Sequence, residues 1–141
     1  LLNPKHEDYA AVQDFFDIVV QPVVENELGF SLSVVDGVQP FEHGFFDQEI
    51  FAKLHRSSVV VADITGSRPN CFLELGYALG RCHPTMLTAK EGTLHPSDIQ
   101  ALGGLHWSET GTVDARRESF RKHWNAIRTR PPLVPTEPLI W

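Results

Sequence analysis

Apolar positions at Tyr9, Val12, Phe15, Phe16, Val19, Val20, Val23 and Val24 recur at three- and four-residue spacing. That period predicts a helix from Glu7 to about Leu28. Pro22 is expected to kink it or end it one turn early, and Gly29 to close it. Phe30-Ser31-Leu32-Ser33-Val34-Val35 alternates like a strand, and Asp36-Gly37 stops it. Helical spacing returns at Phe46, Ile50 and Leu54, predicting a helix from about Phe45 to His55. Val59-Val60-Val61 is a β-branched run of strand length that ends at Asp63. Thr65, Gly66, Ser67, Pro69 and Asn70 then supply turn and cap chemistry, and an apolar helix runs from about Asn70 to Arg81.

Pro84 to Ala89 reads as a further strand, and Lys90 to Gly104 is irregular. Leu105-His106-Trp107 is a short strand of the kind found at a sheet edge. Val113, Phe120, Trp124 and Ile127 face inward from a last helix, Thr112 to about Arg128. Leu1-Leu2 reads as the stub of a first strand and Asn3-Pro4 as the turn after it. With no initiating methionine, the chain reads as a piece of a longer protein, cut inside that strand. Alternation of strand and helix predicts an α/β fold with a parallel sheet. The small strand count favours a flavodoxin-like three-layer sandwich in the order 2-1-3-4-5. Residues 1–130 form one domain in this reading. Residues 131–141, with Pro131, Pro132, Pro135 and Pro138, form an extended tail or linker.

Composition narrows the partners. The 141 residues are 42% hydrophobic and 21% charged, which suits an ordinary folded domain. A formal net charge of -6 disfavours a general nucleic-acid surface, while one or two arginines remain enough for a small anion. No apolar run is long enough to span a membrane. Cys71 and Cys82 flank one predicted helix, about 16 Å apart along its axis. They read as free thiols of a reducing cytoplasm.

The candidate chemistry gathers where the central strand ends and the next helix begins, the place where parallel sheets hold ligands. Glu74 reads as a first-turn carboxylate that the helix dipole keeps ionised, suited to attack a sugar carbon or to stabilise an oxocarbenium ion. A first-turn acid is also an ordinary helix stabiliser. Asp63 is placed to bind ribose hydroxyls, orient a water or cap the loop. Asp36 ends the preceding strand and lines the same edge, or is one half of a turn pair. Arg68 suits a phosphate or a solvated loop position, and Asn70 lies beside it. Tyr77, one turn past Glu74, either hydrogen-bonds that carboxylate or packs as a core aromatic. Gly76, Ala78 and Gly80 suit a helix lying tight on the sheet. No histidine pair has metal-ligand spacing, so no metal is expected. Dinucleotide, P-loop and hydrolase-elbow motifs are missing.

Val60-Val61-Ala62-Asp63-Ile64-Thr65-Gly66-Ser67-Arg68-Pro69-Asn70-Cys71-Phe72-Leu73-Glu74-Leu75-Gly76-Tyr77-Ala78 resembles a motif of TIR-like nucleotide-binding domains in bacterial immunity. It is also similar to the nucleoside 2-deoxyribosyltransferase superfamily, where Glu-Leu-Gly-Tyr-Ala carries the glutamate nucleophile. Pro96-Ser97-Asp98-Ile99 resembles a Pro-Phe-Asp-Leu segment of the same group. The resemblance implies scission of an N-glycosidic bond, as in NAD cleavage, with Glu74 as nucleophile or ribose-contacting acid. It implies NAD or another nucleotide as substrate or ligand, with no further cofactor. It also implies assembly, as a homo-oligomer or as one domain of a larger chain. Transferases carry a second acid and glycines before the glutamate, whereas this chain has Arg68, Pro69 and Phe72. Deoxynucleoside base exchange is therefore the weaker expectation, and a phosphorylated substrate fits Arg68 better. A non-catalytic nucleotide sensor or adaptor is the alternative. A phosphoacceptor receiver would need paired acids after its first strand and a lysine after its fifth, and neither is visible.

Overall fold

The computed structural model describes residues 4–35, 46–100 and 102–131. It is an α/β protein built on a parallel three-stranded sheet in the order β1-β2-β3. The strands are β1 (Val60–Asp63), β2 (Thr85–Lys90) and β3 (Leu105–Trp107). The register pairs Val60 with Thr85 and Asp63 with Thr88, then Thr88 with Leu105. The helices are α1 (Tyr9–Phe15), α2 (Phe46–Arg56), α3 (Pro69–Gly80), the single turn α4 (Ser97–Gln100) and α5 (Val113–Thr129).

Side-chain alternation divides the sheet between two helical layers. Val59, Val61, Met86, Leu105 and Trp107 turn toward α1 and α5. Ala62, Leu87 and Ala89 turn toward α3, and Val60 toward α2 and α3. Met86 to Ala89 are all buried, as in a parallel strand covered on both faces. Phe15 stacks on Trp107 with ring centroids 4.6 Å apart and planes 6° from parallel. Gly104 enters β3 against the backbone of β2, where a Cβ would lie 3.0 Å from the carbonyl oxygen and the Cβ of Leu87. Among the described residues no helix is long and apolar enough to cross a membrane.

The first helix corrects the expectation at Pro22. The rod does not stop there; it continues from α1 in wider π turns over Phe16–Val20 and Pro22–Glu27. Proline cannot donate to the carbonyl of Ile18, its partner in an α-helix. The Arg117 Nε of α5 donates to that oxygen instead, at 2.8 Å. Gly29 closes the rod in the left-handed region (φ +72°) as expected.

Two further expectations are corrected. Residues 30–35 run without helix or strand pairing, because among the described residues no strand lies beside them. Close packing also does not explain Gly76 and Gly80, since a Cβ at either meets nothing within 4 Å. Only Ala78 of that trio is buried against the core.

Candidate functional site

Asp63 sits at the carboxyl end of β1, 9% exposed, and its carboxylate is filled by three donors. Oδ1 accepts the backbone N–H of Thr65 at 3.1 Å. Oδ2 accepts the Thr88 hydroxyl and the Trp107 indole N–H, each at 2.8 Å. One carboxylate therefore fastens β1, β2 and β3 together where they end. Burial of a charge is tolerable only with such satisfaction. The group expected to bind ribose or orient a water is occupied by the protein itself.

The loop after it is equally pinned. Gly66 and Ser67 both adopt positive φ, +79° and +48°. The Ser67 hydroxyl donates to the Leu94 carbonyl at 2.8 Å, tying this loop to the one after β2. The Thr65 hydroxyl oxygen accepts the Lys90 N–H at 2.9 Å. The Cys71 thiol donates to the Asp63 carbonyl at 3.3 Å, drawing the start of α3 onto the end of β1.

Proline at the first helical position starts α3 at Pro69, its missing N–H being one no helix uses. Glu74 is then the sixth helical residue, and the first turn contains no acid. The first-turn dipole argument for Glu74 is thereby overturned. The residue nevertheless lines a cleft of about 620 Å³ beside β1. Arg68, Cys71 and Leu75 line the same end, with Asp63. Arg68 Nε is shielded from solvent and has no hydrogen-bond partner. Burial, and then the Glu74 charge, push the Cys71 thiol up to about 11. The thiol thus stays protonated at neutral pH, and the Glu74 carboxylate lies close enough to act on it.

The other expected groups scatter. The Tyr77 hydroxyl meets His55 Nδ1 at 3.2 Å and its ring packs on Phe51 at 4.9 Å, toward α2. His55 Nε2 lies 3.4 Å from an Arg81 NH2 that can only donate. Tyr77 is not among the residues lining the cleft. Asn70 is exposed on the first turn of α3, and Asp36 lies outside the described residues. Among the described residues no cluster of three or more metal-ligating side chains occurs.

Sequence reasoning missed three parts of this region. Cys71 is a wall of the cleft, and its place follows from the Cys71-x-x-Glu74 helical spacing. Residues 31–35 form the opposite wall. His95 and His106 bring their rings to 5.3 Å at the carboxyl edge, with both His95 nitrogens shielded and unpartnered. Burial lowers the His95 pKa, His106 lowers it further, and the Asp63 charge opposes them. No local signal announces that pair. Comparison with family models, characterised proteins and solved structures gives no match for this chain.

Proposed function

We propose that the cleft end formed by Arg68, Cys71 and Glu74 binds a phosphorylated nucleoside, NAD or a nucleotide, and cleaves its N-glycosidic bond. The observation that carries this reading is a carboxylate and a guanidinium on one wall of an apolar cleft, at the carboxyl end of a parallel strand. A volume near 620 Å³ suits a ligand of nucleotide size. Loss of the base leaves positive charge at C1′, which an adjacent carboxylate stabilises or captures. Water then adds at C1′, so NAD yields nicotinamide, ADP-ribose and a proton. Glu74 supplies the carboxylate and Arg68 the phosphate contact. Assembly with further copies or domains, a cytoplasmic setting and a role in defence against phage go with the sequence resemblance. The full flavodoxin-like order 2-1-3-4-5 does too, with the described strands as its third to fifth.

The test is release of free base from NAD and a panel of nucleotides, alone and under conditions that favour assembly. Glu74→Gln is expected to reduce turnover by about 100-fold or more while leaving binding within about threefold. Absence of base release by the unmutated protein sinks the enzymatic reading.

One observation favours a second reading, a nucleotide sensor without chemistry. Asp63 and Tyr77 are both engaged inside the protein, which leaves few groups to orient a ribose. Recovery of unaltered nucleotide from a tight complex would select it.

A further inference from the structure

Sequence spacing offers no histidine pair for a metal, but the pairing of β3 with β2 makes one. His95, in the loop that leaves β2, meets His106 of β3 with ring centroids 5.3 Å apart. His106 is the middle residue of β3. Its neighbours Leu105 and Trp107 turn into the core, so alternation sends His106 to the other face, where it is exposed.

His95 is held from both sides by its backbone. The Leu94 carbonyl accepts the Ser67 hydroxyl at 2.8 Å, and the His95 carbonyl accepts Gln100 Nε2 at 3.1 Å. These bonds place the imidazole without using it. Its Nδ1 and Nε2 are both shielded from solvent, and neither has a hydrogen-bond partner. A shielded polar nitrogen requires a partner, from the protein, a water or an ion.

Charge decides which sign of ligand fits. The nearly buried Asp63 carboxylate is held by three donors that are all neutral: the Thr65 N–H, the Thr88 hydroxyl and the Trp107 indole. Its negative field reaches His95, while burial and His106 favour the uncharged imidazole there. Neutral imidazole has a lone pair to give. Arg68, beside Ser67 in the tied loop, lines the cleft instead. Two imidazoles in a negative field suit a cation that takes nitrogen ligands, and an anion would be repelled.

We propose that His95 and His106 form a site for one late first-row divalent ion of the Zn2+ or Cu2+ class. Nitrogens sharing such an ion at about 2.0–2.1 Å lie roughly 3.3 Å apart. Rotation of the exposed His106 side chain brings the two rings to that separation. Among the described residues no group of three ligating side chains occurs, so water completes the shell. The ion is therefore exchangeable, with a Kd of about 1–100 μM. When bound, it staples the loop after β2 to β3, where the ladder is only three residue pairs long. It has no part in the glycosidic chemistry proposed above.

The test titrates Zn2+ by calorimetry into the full chain after a chelator has stripped it. One saturable site is expected, and His106→Gln and His95→Asn are each expected to weaken it by at least about tenfold. His55→Gln, which removes an exposed imidazole elsewhere, leaves the affinity within about twofold. His106→Gln changes only an exposed side chain, so without metal its Tm should match that of the unmutated protein. Zn2+ should raise the Tm of the unmutated protein and not that of the variant. Substoichiometric Cu2+ should broaden the ring NMR signals of His95 and His106 before those of any other histidine. The proposal is overturned by the absence of saturable binding below about 1 mM, by undiminished binding in both variants, or by broadening centred on another histidine. No nucleotide enters these measurements, so they and the base-release assay stand or fall separately.

Discussion

β1 has two flanks of opposite character. Toward β2 and β3 every level is filled: ladder hydrogen bonds, the Asp63 carboxylate with its three donors, and Phe15 stacked on Trp107. Away from β2 the same strand borders an apolar cleft lined also by residues 30–35, which join no strand among the described residues. Sequence composition does not separate the flanks, since valines line both. The difference lies in strand pairing among the described residues, and it teaches that burial of side chains alone does not make a segment part of a parallel sheet.

The contrast can be broken by substitution. Phe15→Ala removes a fully buried ring from the filled flank and is expected to cost about 3–5 kcal/mol in urea unfolding. Val34→Ala, on the open flank at 41% exposure, is expected to cost less than about 0.5 kcal/mol. Similar losses at the two sites would erase the distinction. Next in size is Asp63→Ala, expected to cost about 3 kcal/mol, because the Trp107 N–H and the Thr88 hydroxyl are left buried without their acceptor. A near-neutral result would mean that the carboxylate is not the fastening of the three strands.

Smaller effects come from pH. Burial lowers the pKa of both His95 and His83 from 6.5, so the folded state binds their protons more weakly than the unfolded chain. Their contribution is complete above about 6.5 and is lost as pH falls below it. Cys71 runs the other way. Its thiol is raised from 9.0 to about 11, so stability holds below 9 and declines as pH climbs through that interval. Urea midpoints at pH 5, 7 and 10 should therefore peak at the middle value. His95→Asn should flatten the acid side and Cys71→Val the alkaline side. An unchanged acid limb in His95→Asn would assign it to other groups.

Much of the fold was legible because periodicity is local. The strand from Val60, the strand from Thr85 and the helix ending at Thr129 fall within a residue or two of their predicted places. What was hidden depends on distant partners. Residues 30–35 have the pattern of a strand, but pairing requires a neighbour that no pattern within the segment can specify. Asp63 looked like a ligand group because its engagement comes from residues 25 and 44 positions away. Tyr77 shares a helix with Glu74, yet α2 rather than the sheet decides where its hydroxyl goes. The position of Glu74 within its helix turned on a detail of capping: Pro69 opens α3, which leaves the acid beyond the first turn.

Pro22 and its substitute donor bear on how the two helices of the outer layer resist shear. From α5, Arg116 meets Asp14 at 3.5 Å, Arg117 the Ile18 carbonyl at 2.8 Å and Arg121 Glu27 at 3.3 Å. These three contacts advance along both helices in the same direction, like teeth on two parallel racks. Sliding one rack by a single helical turn, about 5.4 Å, would unmesh all three at once. The middle tooth is the carbonyl to which Pro22 offers no N–H. A residue that ordinarily breaks helices has here become the notch that fixes how far one helix can travel along the other.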